Sequence, residues 1–443
     1  MPPRRLPYIS HGGPRAGSAS KEDTHMSAEH PAEEDPVMEN TPLLEGLHVV
    51  DIASFIAGPA AATVLGDFGA DVVKVEPPRI GDSYRGLSRI PPNPQVEGVN
   101  YPWQLDNRNK RSIELNLKSS DARSVLERLV RWADVLVTNF PPRTRDKLGL
   151  GYDDLAPLNP RLVYADVTGF GELGPDAHLP GFDVTSFWAR SGLMDFTHQR
   201  DAAPAINAFG SGDHPTGITL FAGIMTALYR REKTGQGARV SASLIAEGAW
   251  AAGMWLQAAL LGAKPPRPVD RSDPPNALAN VYRTADDRWI LLAFANEDKQ
   301  VPLFLTAIGH PEAAEDPRFH DTASRRAHAA DIVTLLDKRF ATRPLAEWRE
   351  VLDSAGLTYG VVQTLEECAH DPQLLDNQIV VPIEDGSREP HMTLNSPVHL
   401  DQEQKVPARP APDLGEHTEE VLAELGFTAD DIESLRTGGA IPR

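Results

Sequence analysis

The chain has 443 residues and a formal charge of −20, with 41% hydrophobic and 24% charged residues. At roughly 100–200 residues per domain, that length points to two or three packed domains. The acidic balance argues against a nucleic-acid protein, which needs a basic face, but leaves room for a local basic pocket around an anionic ligand. The single cysteine, Cys368, excludes an intramolecular disulfide and a cysteine-based zinc site, and it is expected as a small buried apolar side chain. No apolar run approaches the ~18 residues of a membrane helix. The start, Met1-Pro2-Pro3-Arg4-Arg5, lacks the apolar stretch of a secretory signal, so cytoplasm is the expected location.

Residues 1–42 are rich in Pro, Gly, Ser, Glu and His without apolar periodicity, and they read as a disordered extension. Order begins at Leu47–Ile52, a buried strand. The turn Ser54-Phe55-Ile56-Ala57-Gly58-Pro59 then leads into an Ala-rich helix to Phe68, with Pro59 in its first turn and Gly69 at its stop. Val72–Val75 completes a βαβ unit. Ile113–Leu117, Val135–Val137 and Leu162–Ala165 are further strands, and a helix capped by Ser120 carries Val125, Leu126, Leu129 and Val130. This alternation specifies an α/β fold with a doubly wound parallel sheet. A long helix follows Asp213 to about Arg231 and is broken at Thr234-Gly235-Gln236-Gly237. A further helix carries Trp250 and Trp255, and Pro265–Pro275 is a linker. Val281–Phe294 reads as a hairpin turning at Asp286-Asp287, with helices near Pro302–Ile308 and Leu345–Leu357, a smaller α+β domain. A Pro-rich stretch from Ser396 to Pro412 leads to two short helices, the second capped by Thr428 with Asp431 three residues on. The boundaries read as a large α/β domain over 43–235, a connecting helix over 236–265, the small domain over 266–380, and a segment over 381–443 that returns to the large domain.

The motifs narrow the chemistry by exclusion first. A dinucleotide site needs G-x-G-x-x-G at the first turn, and this turn has one glycine. A Walker A loop, an H-E-x-x-H helix and a G-x-S-x-G elbow are all absent from the sequence. Arg108, Lys110, Arg111 and Lys118 surround one strand. Arg143, Arg145 and Lys147 follow the strand end at Asn139-Phe140, the edge where open α/β sheets bind ligands. Together they suit the phosphates of an adenine nucleotide, although a charge run of this kind is more often a solvated face. Gly210-Ser211-Gly212-Asp213-His214-Pro215 places an aspartate directly before a helix, which by itself reads as an N-cap. His214 adjoins Asp213, but successive residues of a helix do not face together, so its side chain is expected to point elsewhere.

Taken in order, these segments resemble the class III CoA-transferases, among them the formyl-CoA:oxalate and carnitine enzymes. The resemblance rests on Ala57-Gly58-Pro59, Gly69 to Glu76, Asn109 to Ile113, Ala133 to Phe140, Leu158 to Gly171, Thr234 to Gly237 and Leu414 to Thr418. It implies Asp213 as the covalent nucleophile. It implies CoA contacts from Ile56, Ala57, Leu115, Lys118, Asn139, Phe140, Lys147 and Leu148, and a Rossmann-like large domain in an interlocked homodimer. CoA is then substrate and product, with no bound cofactor, no metal, no nucleic acid and no membrane. Phe182 and Asp183 are weaker substrate-side candidates, Asp183 being as readable as a structural carboxylate. Phe187 and Trp188 read as core or acyl-pocket residues, and Arg190 as a surface ion pair. Three departures stand out. Lys147 occupies a position often held by Arg in the family, no glycine-rich shielding loop matches near Asn276–Asn280, and Pro77 stands where the oxalate enzyme has a CoA-contacting arginine. Oxalate specificity is therefore not expected.

On this reading Asp213, kept ionised by the helix N-terminus, attacks a donor thioester to give an anhydride. CoA returns to form an aspartyl thioester, and an acceptor carboxylate collects the CoA through a second anhydride. Two alternatives remain. An α-methylacyl-CoA racemase needs a base on each side of the α-carbon, and Gly181-Phe182-Asp183 puts Phe where that family has His. A CoA-binding protein without turnover is the other.

Overall fold

The computed structural model describes residues 41–264, 270–387 and 391–443. The expected disordered extension lies outside these residues apart from its last two, and so does half of the linker at 265–275.

The first part of the fold runs β1 (His48–Asp51), α1 (Ala57–Asp67), β2 (Asp71–Glu76), α2 (Tyr101–Asn107), β3 (Lys110–Glu114), α3 (Ala122–Trp132), β4 (Val135–Thr138), α4 (Pro142–Leu148), α5 (Tyr152–Leu155), β5 (Val163–Thr168), α6 (Leu193–Thr197), α7 (Asp213–Thr234) and β6 (Ala238–Ser243). The six strands form one parallel sheet in the order β3-β2-β1-β4-β5-β6. Their β-branched residues are buried on both faces, as a parallel sheet covered by helices requires. Val50 packs on one side with Ile113, Leu129, Leu136 and the C-terminal residues Val421 and Leu422. Its neighbour Val49 packs on the other with Leu65 of α1 and Leu220 and Ile224 of α7. The contact between α1 and α7 is close because Gly217 has no side chain: a Cβ there would lie 2.9 Å from the Ala57 carbonyl.

A second hydrophobic core is built from Ala277 to Leu357 around Phe304, Phe340 and Trp348. It carries an antiparallel sheet of Val281–Arg283, Trp289–Leu292 and Tyr359–Val361, with Asp287 left-handed in the hairpin turn. The chain ends in two helices, Thr418–Glu424 and Ala429–Thr437, the second closed by the Thr428–Asp431 capping box. No helix among the described residues is long and apolar enough to cross a membrane.

Four local expectations change. The stretch expected as a connecting helix over 236–265 opens with the edge strand β6 and continues as two helices, Leu244–Ala251 and Gly253–Leu260, with Trp250 on the first and Trp255 on the second. The third strand occupies Lys110–Glu114 rather than Ile113–Leu117, because Lys110 is a buried strand residue paired with Asp51 and not a flanking charge. The following helix takes Asp121 as its N-terminal flank, with no side-chain cap, in place of Ser120. Cys368 is half-buried, its Sγ donating to Gln363, rather than sealed in a core.

The end of β1 rests on a buried ionic lattice. Asp51 accepts from Lys110 Nζ at 2.9 Å and lies 3.5 Å from Lys74 Nζ, all three side chains fully buried. Lys74 also pairs with Asp82 at 3.1 Å and donates to the Ala53 carbonyl. Burial works against the charge on Lys110 and, despite Asp51, lowers it to about 8. Removing one partner of such a cluster strands an uncompensated charge. Asp51→Ala should therefore lose about 3–5 kcal/mol of stability, read from the denaturant midpoint; a loss below about 1 kcal/mol would show that the lattice is solvated.

Candidate functional site

In the strand order β3-β2-β1-β4-β5-β6 the connections diverge between β1 and β4, and a crevice opens beyond their carboxyl ends. A cavity of about 400 Å³ lies there. Its walls come from the first turn (Ser54 to Ala57), from Asn139 and Phe140 after β4, from Thr168 and Gly169 after β5, and from Phe182, Asp183 and Asp213.

The wall is fixed by side chains that bind backbone. Asn139 Oδ1 accepts from Ser54 N at 2.9 Å and its Nδ2 donates to the Ser54 carbonyl at 2.6 Å, so the end of β4 clamps the turn after β1. Phe55 adopts a left-handed backbone, φ 62°, a conformation costly for a non-glycine residue. It is held by Asp82 Oδ1, which accepts its N–H at 3.2 Å. Glu76 in turn accepts from Asp82 N at 2.9 Å and pairs with both arms of Arg85 at 2.7 Å. The Phe55 ring meets Phe182 edge-on, centroids 6.3 Å apart.

Asp213 is the first residue of α7 and not its cap: Gly212 occupies that position, with no side-chain cap. Among the described residues its carboxylate accepts no hydrogen bond from protein. The neighbouring carboxylates are tied down. Asp183, which opens a π-helical turn over Asp183–Ala189, accepts from Gly212 N at 3.1 Å. Asp106 accepts from the Tyr84 hydroxyl at 2.7 Å and lies 3.0 Å from His214 Nε2. Burial, then the negative charge of Asp183, pushes Asp213 up to about 7, with His214 pulling the other way. The expectation that the helix N-terminus keeps Asp213 fully ionised is therefore corrected: a helix-end effect of about 0.3–1 kcal/mol is outweighed by desolvation beside a second carboxylate. Burial raises Asp183 as well, against the amides of Gly212 and Gly210.

The other sequence-derived residues divide. Lys118, Lys147 and Leu148 line a second cavity of about 560 Å³ between the start of α3 and the end of α4. The α4 segment joins the two cavities, with Pro142 on the first and Thr144 and Lys147 on the second. Leu115 is 1% exposed in the core, so its side chain faces neither cavity. Most of the basic run is spent inside the protein: Arg108 on Asp67, Lys110 on Asp51, Arg111 on Asp71, Glu420 and Glu424, and Arg145 on Asp166 and Glu172. Those four are not available for phosphates, whereas Lys118, Lys147 and Arg143 are exposed and make no ion pair among the described residues. Arg190 pairs with Asp176 at 2.9 Å on the surface. Phe187 is buried, and Trp188 donates to the Ala205 carbonyl at 3.0 Å. Sequence reasoning missed Tyr84, Asp82 and Asp106. They lie in a stretch without periodicity, and no local signal marks them.

The model of the family described as CoA-transferase family III matches residues 44–418. An (R)-2-hydroxy-4-methylpentanoate CoA-transferase of Clostridioides difficile is 33% identical over 394 residues, covering 89% of this chain and 98% of that one. A cinnamoyl-CoA:phenyllactate CoA-transferase of Clostridium sporogenes is 32% identical, covering 89% and 96%. The crystal structure of a CAIB/BAIF family protein from Brucella suis superposes with a TM-score of 0.77 at 30% identity, over 87% of this chain and all of that one.

The charge of Asp183 is one cause of the raised Asp213 carboxyl. Asp183→Asn should move the ionisation of Asp213 from about 7 toward lower pH, by about one unit. The pH dependence of carbodiimide coupling at Asp213, read by peptide mass spectrometry, checks this; an unmoved midpoint would remove Asp183 as a cause.

Proposed function

The chain belongs to CoA-transferase family III, and from that premise we propose that it moves CoA from an acyl-CoA to a carboxylic acid with Asp213 as the covalent carrier. One observation carries the reading. Among the described residues Asp213 is the carboxylate lining the switch-point cavity that has no hydrogen-bond donor, while Asp183 accepts through one oxygen from Gly212 N and Asp106 faces His214 Nε2.

The steps balance without a metal or ATP. An Asp213 oxygen attacks the thioester carbon, the C–S bond breaks, and CoA leaves as a thiolate. The thiolate attacks the Asp213 carbonyl carbon of the mixed anhydride, releasing the donor acid as its carboxylate and leaving an aspartyl-CoA thioester. The acceptor carboxylate attacks that thioester, and the freed thiolate then takes the acceptor acyl group and restores Asp213. Holding the reactants together converts slow bimolecular steps into local ones, and a site that excludes water protects the anhydrides.

In this reading Lys118 and Lys147 hold the phosphates of CoA in the second cavity. The pantetheine arm follows α4 past Asn139 and Phe140 to Ile56, Ala57 and Asp213. Asn139 acts through the Ser54 turn, its amide being occupied. Phe140, Leu179, Phe182, Val184, Phe209 and Leu244 give the first cavity an apolar wall, which favours an acyl group with an apolar side chain over oxalate. A racemase reading is disfavoured by Phe182, which cannot carry a proton. A second copy of the chain is the proposed cover for the exposed apolar face of the helices Leu244–Ala251 and Gly253–Leu260, where Trp250 is 83% and Met254 70% exposed.

Asp213→Ala should reduce transfer by on the order of 10³-fold or more. The assay pairs acetyl-, hexanoyl- and cinnamoyl-CoA with oxalate, phenyllactate and 2-hydroxy-4-methylpentanoate. Undiminished transfer would contradict the assignment, and a preference for oxalate would contradict the apolar acyl site. Sedimentation should give a dimer, with Trp250→Glu shifting it toward monomer; a monomeric parent would refute the second copy.

A further inference from the structure

Asp213 faces Asp183 from the π-helical turn, Asp106 from α2, the Tyr84 hydroxyl and, on its own helix, His214. Three carboxylates thus gather around the start of α7 with one imidazole among them, Asp183 and Asp213 on the cavity wall and Asp106 behind it against His214. A nucleophilic carboxylate in such company needs a compensating positive charge, because like charges at short range drive one another to the protonated form.

His214 is placed to carry that charge. Its Nε2 lies 3.0 Å from Asp106 Oδ1, whose partner oxygen is taken by the Tyr84 hydroxyl at 2.7 Å. Asp106 is itself 2% exposed, and its backbone carbonyl accepts from Lys110 Nζ at 2.8 Å, so the carboxylate is fixed from below by the buried lattice. The Gly210 carbonyl accepts the backbone N–H of His214 at 3.0 Å, which seats the residue on that turn. Gly210 is left-handed, φ 86°, and a Cβ there would lie 3.1 Å from His214 Nδ1, so a side chain at 210 would crowd the ring. An imidazole whose Nε2 faces a buried carboxylate at hydrogen-bond distance is favoured as the cation, because the negative charge beside it stabilises the protonated ring.

We infer that His214 is a positioning residue for the Asp213 chemistry: paired as an imidazolium with the buried Asp106, it supplies the counter-charge that keeps a working fraction of Asp213 ionised. This rests on Asp213 being the nucleophile. The electrostatics agree. Burial opposes the charge on His214, yet the hydrogen bond and charge of Asp106, followed by Asp213 and Gly210, outweigh it and hold the ring above its ordinary value. The active form, Asp213 ionised and His214 protonated, is then bounded by an acid limb where Asp213 is protonated and a basic limb where His214 loses its proton.

The test combines two readouts on the full-length protein. With [¹⁵N]histidine, the His214 signal, assigned by its loss in His214→Gln, should remain that of an imidazolium above the ordinary histidine midpoint of ~6.5, and Asp106→Asn should bring it down. A His214 midpoint at or below ~6.5 in the parent protein overturns the inference. In the second readout, the rate of acylation of Asp213 by hexanoyl-CoA and cinnamoyl-CoA is followed against pH by quenched mass spectrometry. His214→Gln, which keeps a donor toward Asp106 but no charge, should move the acid limb up by about one pH unit, a roughly fivefold loss near neutral pH. Absence of any adduct in the parent protein would refute the nucleophile assignment itself. Adducts in the parent with an unmoved limb in His214→Gln would refute only the role of His214.

Discussion

The site exists because the connections of a parallel sheet part company between β1 and β4. Once β1 pairs β2 on one side and β4 on the other, the loops after the two strands leave in opposite directions and cannot fill the space above them. Every functional proposal depends on that crevice. The sheet provides it, and α1 and α7, packed together through Gly217, set its floor.

A crevice lined by loops would be soft without a rigid support. Here the support is electrostatic. Asp51, Lys74, Lys110 and Asp82 are buried together below the first turn, and Glu76 with Arg85 extends the network toward it. Such clusters are weak evidence for stability, because desolvation offsets much of the attraction. Their value here lies in geometry: Lys74 binds the Ala53 carbonyl and Asp82 binds the Phe55 amide. The strained turn and the Asn139 clamp are thereby fixed to the same frame that fixes Asp106. Against this held background Asp213 is left untied among the described residues, a costly arrangement for a half-buried carboxylate unless a substrate uses it.

Much of this was legible in the sequence. Valine-rich strands alternating with helices announced the parallel sheet, and the small-residue run from Gly210 to Gly212 located the start of α7 at Asp213. What escaped was tertiary. Lys110 and Arg145 read as solvent-facing charges because a periodicity argument cannot see the aspartates, Asp51 and Asp166, that neutralise them across the sheet. The strand boundary at β3 slipped for the same reason. Asn139 was found as a site residue, but its amide binds Ser54, and Leu115 turned out to face the core. Tyr84 and Asp106 come from the region between β2 and β3, where nothing local distinguishes them. His214 was expected to turn away from Asp213, and its ring does turn, toward Asp106.

The central claim is that Asp213 exchanges oxygen and acyl groups with its substrates. An acceptor acid carrying ¹⁸O in both carboxylate oxygens tests it most directly. If the acceptor attacks an aspartyl thioester and the returning thiolate then splits the anhydride on the acceptor side, one heavy oxygen remains on the Asp213 side chain after turnover. The account predicts that label in the peptide containing residue 213 and in no other. Turnover with an unlabelled Asp213 would contradict it.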